Sequence, residues 1–426
     1  MNKLKLLDFQ EKVVKEALIK MNGKRGSFVF QAPTGTGKTF ISANIINKFI
    51  EILPNYESFT FLHFSPSRGK LNEQNAEKFE SYNKLANLNR YKVWKLSSSK
   101  QMNIKSFERN VIHFFGWDQL IKKTNTITKD SEKNSWYNVF ENTLKNKTKI
   151  VIIIDEQHLN KNAKITDKFL EEIKKMYDNV FHEDPIYLEM SATIKEGLKK
   201  DYVVKYSEAV AEELVKKEIF INKDMSFDEN TEEEMIIHSA LDKRQEVIKA
   251  YNKRNLQKKG KYPLVVIQLP DARQTNKDST LSLNKIKEYV LSHKTTHKNH
   301  VAVWTADTHS TLDGDKIVKK DIESNEDIHV LIFKQAVSTG WDIPRANIWV
   351  KLRNNMDKTF ETQTLGRVLR NQFRKYYNND LIDNAFIYTN DEKIKNEIEE
   401  SYSCSTSDDN KNTTNVKKEK RNNRKQ

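Results

Sequence analysis

Cysteine is almost absent from this chain of 426 residues, since Cys404 stands alone. A single thiol excludes an internal disulfide and any zinc site built from several cysteines, and it is consistent with a reducing cytoplasm, where we expect the protein. Long apolar runs are also missing. No run approaches the roughly 20 residues that cross a bilayer, so we expect no membrane partner. Residues 1–18 carry charges throughout and do not form a secretory signal.

Negative charge is in the minority, because 73 Lys and Arg stand against 59 Asp and Glu and give a net charge of +14. Such a surplus favours polyanionic partners, of which nucleic acid is the first candidate. A lysine-rich composition that reflects genome bias is the alternative explanation. Residues 411–426 hold seven Lys or Arg and one Glu, so they supply +6 of the total. Residues 396–426 lack apolar side chains to bury, which predicts a disordered basic C-terminal tail.

The stretch QAPTGTGKTF, residues 31–40, lies between an apolar run that predicts a strand and a periodic run that predicts a helix. Gly35 and Gly37 permit a positive φ, so that backbone amides can face a phosphate. Lys38 would supply a mobile cation and Thr39 a hydroxyl for Mg²⁺. The pattern predicts a phosphate loop for ATP, with an ordinary surface turn as the alternative. The loop also includes Pro33, Thr34 and Thr36.

A second candidate site follows the apolar run that ends in IIID, residues 152–155. Parallel strands present functional residues at their carboxyl ends, where Asp155 and Glu156 stand. Asp155 can hold Mg²⁺, and Glu156 can polarise the water that attacks the γ-phosphorus. Two acids that merely cap the next helix are the alternative.

Short apolar runs alternate with helical patterns along the whole chain, which predicts an α/β protein with parallel sheets flanked by helices. We expect an N-terminal ATP-binding domain over 1–220, a helical linker over 221–258 and a C-terminal domain over 259–395. The polar residues between Ile121 and Thr148 suggest a surface insertion.

Three further motifs carry candidate residues. MSATIK, residues 190–195, places Ser191 and Thr193 after a strand, and it could also be an ordinary polar turn. VSTGWDIPRANIWV, residues 337–350, contains Gly340 and Asp342 where a strand gives way to a loop. In QTLGRVLRN, residues 363–371, a predicted helix carries two arginines three positions apart, which would share one face and could donate to a triphosphate. A solvated basic face is the alternative for this helix, which would hold Gln363, Gly366, Arg367 and Arg370.

Taken in order, these motifs resemble those of superfamily 2 helicases and translocases of the DEAD/DEAH-like kind. The last two motifs are most similar to the restriction (Res) subunit of type III restriction-modification enzymes. The resemblance implies two tandem RecA-like P-loop domains, ATP and Mg²⁺ as cofactors, and ATP-dependent movement on double-stranded DNA. It also implies a methyltransferase (Mod) subunit as a partner. The motifs are Phe9-Gln10, APTGTGKT (32–39), FSPSR (64–68), DEQH (155–158), SAT (191–193), STGWDIPRA (338–346) and QTLGRVLR (363–370).

The resemblance also implies roles for single residues. Gln10 would read the adenine edge with Phe9 nearby, and Glu156 would be the catalytic base. Arg367 and Arg370 would be the arginine fingers. Further nucleotide contacts are implied for Gln157, His158, Gly340, Asp342 and Gln363, and nucleic-acid contacts for Ser65, Arg68, Ser191, Thr193 and Thr339.

The chain also departs from this family. A full Res subunit is longer and ends in a nuclease domain, whereas nothing after residue 396 offers the paired acids and lysine that a nuclease needs. We therefore expect ATP hydrolysis without DNA cleavage by this chain alone. An RNA helicase of the DEAD-box kind and a non-catalytic DNA-binding remnant are the alternatives. Gln363 argues against the RNA helicase, because those enzymes usually have histidine there.

Overall fold

The computed structural model describes most of the chain, and two compact units divide it between Val204 and Lys205. The described residues are 3–23, 26–66, 71–95, 104–117, 136–156, 163–192, 199–225, 232–269, 283–305, 307–334, 343–352, 364–391 and 398. Of the predicted C-terminal tail over 396–426, the structure describes Ile398 alone. That residue is buried in a core cluster of the second unit, so at this position the chain still contributes to the core.

The first unit is built on a seven-stranded parallel sheet with the order β3-β4-β2-β5-β6-β1-β7. Strands β2 and β5 are almost wholly buried, as expected of parallel strands covered on both faces. The strands are β1 Phe28–Gln31, β2 Ser58–Ser65, β3 Lys92–Lys95, β4 Val111–Gly116, β5 Thr148–Asp155, β6 Ile186–Ser191 and β7 Tyr202–Val203. The helices are α1 Asp8–Leu18, extended by one π-helical turn over Ile19–Gly23, α2 Lys38–Ile52, α3 Leu71–Leu85, α4 Trp136–Lys145 and α5 Ala163–Phe181.

Three neighbouring strands of this sheet bring the candidate motifs to one edge. In the order β5-β6-β1, Asp155 ends β5 with Glu156 directly after it, Ser191 ends β6 and the glycine loop follows β1. Because the strands are parallel, their carboxyl ends meet at the same edge of the sheet.

The polar stretch predicted as a surface insertion contains helix α4. Val139, Phe140 and Leu144 of α4 are buried in the same cluster as Ile152 of β5. The described part of the stretch, from residue 136, is therefore part of the core and not an insertion on the surface. Residues 118–135 lie outside the described chain.

The second unit has its own seven-stranded sheet with the order β11-β10-β12-β9-β13-β14-β8, in which only the β10–β11 pair is antiparallel. Its strands are β8 Ile219–Ile221, β9 Val265–Gln268, β10 Val301–Trp304, β11 His309–Thr311, β12 Val330–Phe333, β13 Ile348–Lys351 and β14 Ala385–Thr389. Its helices are α6 Tyr206–Ala211, α7 Glu233–Lys253, α8 Leu283–Ser292, α9 Lys319–Ser324 and α10 Asp380–Asp383, with 3-10 turns at Leu256–Lys258 and Lys298–His300.

The segment expected to be a helical linker, 221–258, differs in the structure. Its helix is present as α7, but Ile237 and Tyr251 of that helix are buried with Ile267 and Phe386 of the second sheet. Strand β8 likewise pairs with β14 at the edge of this sheet. The expected boundary at residue 220 is therefore too late, because the residues from Lys205 already belong to the second unit.

Candidate nucleotide site

The glycine loop has the backbone geometry that the sequence predicts. Gly35 and Gly37 have φ values of 94° and 85°, in the left-handed region that glycine tolerates best. Gly37 is the N-cap of α2, so the first amides of that helix open toward the loop. A Cβ on Gly37 would lie 2.8 Å from Nε2 of Gln10. Glycine is therefore required here both by conformation and by space.

Gln10 stabilises the glycine loop through a side-chain hydrogen bond. Its Nε2 donates to the Thr36 carbonyl at 2.8 Å, and its Oε1 accepts from the Leu7 amide at 3.0 Å. Gln10 is 4% exposed and Thr36 is fully buried. Phe9 lies on α1 and its side chain is buried in the core, so its ring does not face a ligand. The contact between Gln10 and adenine stays a prediction.

Lys38 connects the loop to the acids at the end of β5. Its Nζ donates to the Ala32 carbonyl at 3.2 Å and lies 3.3 Å from Oε1 of Glu156. Only about a tenth of this side chain is exposed. A largely buried ammonium held by a carbonyl and a carboxylate is a cation that phosphate oxygens can engage.

Asp155 and Glu156 have different environments although they are neighbours. Burial, with the Glu156 charge second, raises the pKa of the Asp155 carboxyl to about 7, while Lys38 and Asn75 act in the opposite direction. Glu156 has a φ of 53°, and its amide donates to the Met190 carbonyl at 3.0 Å. A buried carboxyl next to a second carboxylate is electrostatically suited to a divalent cation.

Asn75 is a site residue that sequence reasoning missed. It lies on α3, is 4% exposed, and its Nδ2 donates to Oδ2 of Asp155 at 3.0 Å. The available signal was an amide within the buried face of a helix, since Ala76 and Phe79 beside it are fully buried. Nothing in the spacing indicated which strand that amide would meet.

Two residues that were predicted to contact nucleic acid have different surroundings in the structure. The Ser191 hydroxyl donates to Oε2 of Glu156 at 2.8 Å, and the Ala192 amide approaches the same oxygen at 3.3 Å. Ser191 therefore belongs to the acid pair in this structure. Ser65 ends β2 and is fully buried, so its side chain is not placed to touch a nucleic-acid backbone.

The two candidate arginines do not share one helix. Residues 364–368 are helical and include Gly366 and Arg367, but Arg370 follows the helix and forms an antiparallel bridge with Val215. The Asn371 amide continues this pairing by donating to the Leu214 carbonyl at 3.1 Å. The expectation that both arginines project from one helical face is therefore wrong, because Arg370 lies beyond the helix on a bridge to a segment far earlier in the chain.

Several predicted site residues lie outside the described part of the chain. They are Arg68, Gln157, His158, Thr193, Thr339, Gly340, Asp342 and Gln363.

The residues at the loop fit a nucleotide with Mg²⁺. In the part of the chain that the structure describes, no group of three or more His, Cys, Asp or Glu could hold a metal by itself. Mg²⁺ is usually held by one or two protein oxygens together with substrate phosphates and water, which suits Asp155 and Thr39. Pro33, Thr34 and Thr39 are all half-buried, so they border the loop without being closed off.

Known proteins resemble this chain in sequence over its first part and in fold over most of its length. Residues 3–196 match the family model described as "Type III restriction enzyme, res subunit". A comparison with curated protein sequences finds no match.

Solved helicase structures share the fold. The DUF1998 helicase MrfA bound to DNA and AMPPNP has a TM-score of 0.55 at 15% identity, over 90% of this chain and 48% of that one. A variant of S. cerevisiae Dbp5 bound to Gle1 and IP6 has a TM-score of 0.53 at 14% identity, over 93% and 86%. S. cerevisiae Dbp5 bound to RNA and ADP BeF3 has a TM-score of 0.50 at 13% identity, over 93% and 87%.

The two sheets and the glycine loop give the chain the fold of two RecA-like units, which these helicase structures share. The family match covers residues 3–196, which is less than half of the chain, and within that part the sequence is similar to the Res subunit. Among the described helices, none is both long and apolar enough to cross a membrane.

Proposed function

We propose that this chain hydrolyses ATP to ADP and phosphate in order to move along or unwind double-stranded DNA, as the motor core of a type III restriction Res subunit. The position of Glu156 carries the proposal. One of its oxygens lies 3.3 Å from the Lys38 ammonium, and the other accepts from the Ser191 hydroxyl. The carboxylate is thus oriented at the mouth of the loop that would hold the phosphates.

The residues of the site divide the work of phosphoryl transfer. Backbone amides from Gly35 to Thr39 would bind the phosphates. The Lys38 ammonium would move away from Glu156 and pair with the phosphates. Thr39 and Asp155 would hold Mg²⁺, which neutralises phosphate charge when it is bound. Glu156 would then orient the attacking water and accept its proton.

Other residues would assist turnover and the grip on nucleic acid. Arg367 and Arg370 would donate to the triphosphate during turnover as arginine fingers. Arg68, Thr193 and Thr339 would contact the nucleic-acid backbone, so movement would be independent of sequence. Nucleotide contacts are proposed for Gln157, His158, Gly340, Asp342 and Gln363.

Duplex DNA is proposed as the track for two reasons. The net charge of +14 favours a polyanion. The family model over residues 3–196 describes a subunit of restriction enzymes. A Mod-type methyltransferase is the corresponding protein partner, and co-purification with an adenine methyltransferase from a neighbouring gene would test it.

ATPase assays test the proposed function directly. We expect hydrolysis by the purified chain to rise with duplex DNA more than with single-stranded RNA. Lys38→Ala should bind ATP more weakly, because a cation on the phosphates is lost. Glu156→Gln should bind ATP but hydrolyse it at least about 10²-fold more slowly, since the proton acceptor is lost while the shape of the side chain remains. Stimulation by RNA alone would favour the RNA helicase, and no hydrolysis on either polymer would favour the non-catalytic remnant.

A further inference from the structure

A buried amide lies against the carboxylate that the proposed function assigns to Mg²⁺. Nδ2 of Asn75 donates to Oδ2 of Asp155 at 3.0 Å, between residues that are 80 apart in the chain. Both side chains are at least nine-tenths buried. One oxygen of the carboxylate is thereby occupied, so the bond orients the group about its own axis.

The helix that carries Asn75 is held rigidly by packing. Phe79, one turn further along α3, is fully buried and packs against His63 of β2 with ring centroids 5.8 Å apart. The Tyr82 ring packs against the Phe40 ring of α2, with centroids 4.9 Å apart. α3 is thus tied to the sheet and to the helix that follows the glycine loop. A donor on such a helix cannot follow the carboxylate if it turns, so it selects one orientation of Asp155.

Side chains that hold the ligands of a metal usually matter almost as much as the ligands themselves. Their loss typically reduces metal affinity or activity about 10–100-fold. The amide also differs from a second acid or a lysine at this place, because it orients the carboxylate without adding a net charge.

We propose that Asn75 is a positioning residue for Mg²⁺. It holds the Asp155 carboxylate in the orientation that binds the metal, and it touches neither the metal nor the nucleotide itself. The inference rests on the proposed nucleotide site, but it concerns a residue outside every motif of that site. It separates two quantities: affinity for nucleotide without metal depends on the glycine loop and Lys38, whereas affinity for the metal depends on Asn75.

Metal binding measured without turnover tests this inference. ADP binding by the full chain is measured by calorimetry in excess EDTA. Mn²⁺ binding to the protein–ADP complex is then followed by the loss of the free-ion signal in electron paramagnetic resonance. For Asn75→Leu we expect a Mn²⁺ dissociation constant about 10–100-fold higher, with ADP affinity in EDTA within twofold of the parent.

Matched variants separate positioning from general packing. Asn72 lies on the same helix and is also buried, at 7% exposure, so Asn72→Leu disturbs α3 in a similar way. It should leave Mn²⁺ affinity unchanged. Asn75→Gln keeps an amide donor and should retain more affinity than Asn75→Leu. Asn75→Ala provides the same test in a smaller side chain if the leucine variant fails to fold.

Two results would overturn the inference while leaving the nucleotide site intact. One is parental Mn²⁺ affinity in folded Asn75→Leu or Asn75→Ala. The other is an equal loss in Asn72→Leu, which would show a general effect of disturbing α3. A parent chain that binds no ADP, with or without Mn²⁺, would instead overturn the proposed function and this inference with it.

Discussion

Ser191 shows at the scale of a single residue how the acid pair is oriented. Its hydroxyl reaches one oxygen of Glu156 at 2.8 Å, and the Ala192 amide supports the same oxygen at 3.3 Å. A hydrogen bond to a charged group contributes about 1.5–3 kcal/mol. We expect Ser191→Ala to lower kcat about 10-fold or more, with the Kd for ATP unchanged, because the base is disordered and the loop is not.

Steady-state ATPase kinetics and equilibrium ATP binding check this expectation. Ser42→Ala is the control, since Ser42 is a buried serine on α2 whose side chain makes no described contact with the acids. Equal kcat values for Ser191→Ala and the parent would show that Ser191 does not orient the base.

Gln10 allows a test between loop support and adenine recognition. Gln10→Ala removes the donor to Thr36 and leaves a buried carbonyl unsatisfied, which costs about 1–3 kcal/mol. Because the phosphate loop is common to all nucleotides, we expect ATP and GTP affinities to fall by the same factor. Gln10→Glu keeps the acceptor for Leu7 but lacks the donor, so it should behave similarly. Loss of ATP affinity alone, measured by calorimetry with both nucleotides, would instead indicate adenine reading.

At the scale of elements, strands β2 and β4 each bury a neutral histidine. Burial lowers the pKa values of both His63 and His113 to about 3. The folded pKa lies below the unfolded value of 6.5, so the stabilisation is complete above pH 6.5 and is lost as the pH falls from 6.5 toward 3. At pH 5 the loss amounts to about 2 kcal/mol for each histidine.

The variant His63→Phe/His113→Phe should reduce this acid sensitivity. Phenylalanine is similar in shape and cannot titrate, and the neighbours of both histidines are already aromatic. We expect the free energy of unfolding, measured with urea, to fall markedly for the parent between pH 7 and pH 5. For the double variant it should fall less. His329 in the second unit also has a pKa lowered to about 3, so the comparison is between variant and parent. Parallel pH profiles for the two proteins would contradict the assignment.

The segment that carries the candidate fingers is an element in which geometry changes the expectation. Arg367 lies within a short helix, whereas Arg370 lies on a bridge to Val215. The two arginines are therefore positioned by different backbone structures. We expect Arg367→Ala and Arg370→Ala each to leave ATP binding largely intact and to lower turnover, by up to about 10³-fold. The matched change Arg374→Ala alters a nearby exposed arginine and should have little effect. Parental turnover in both single variants would assign the arginines to structure alone.

At the scale of the whole molecule, charge is concentrated at the C-terminal end of the sequence. Residues 411–426 supply +6 of the net +14. Each phosphate that a protein neutralises contributes about 0.9 to the slope of log K against log salt. Removing these residues should therefore flatten that slope by at most about 6, as measured by DNA binding over a salt series. An identical slope with and without them would show that they do not contact DNA.

The sequence by itself determined most of the buried strands of both sheets and the glycine loop. Strands such as β2 and β5 were predictable because buried parallel strands require uninterrupted apolar runs, which are visible locally. β3 was missed because KVWK is a short edge strand with exposed ends and no such run. The phosphate loop was predictable because φ values near 90° need glycine at fixed positions.

Only the tertiary structure decided which side chains meet. Asn75 and Asp155 are 80 residues apart, and Ser191 and Glu156 are 35 apart, so no local pattern indicates either contact. The same holds for Arg370, whose place on a bridge depends on Val215, a residue far earlier in the chain and outside the named strands. Periodicity reports which face of an element is buried, whereas hydrogen bonds between elements depend on sheet order and helix packing, which arise only when the whole unit folds.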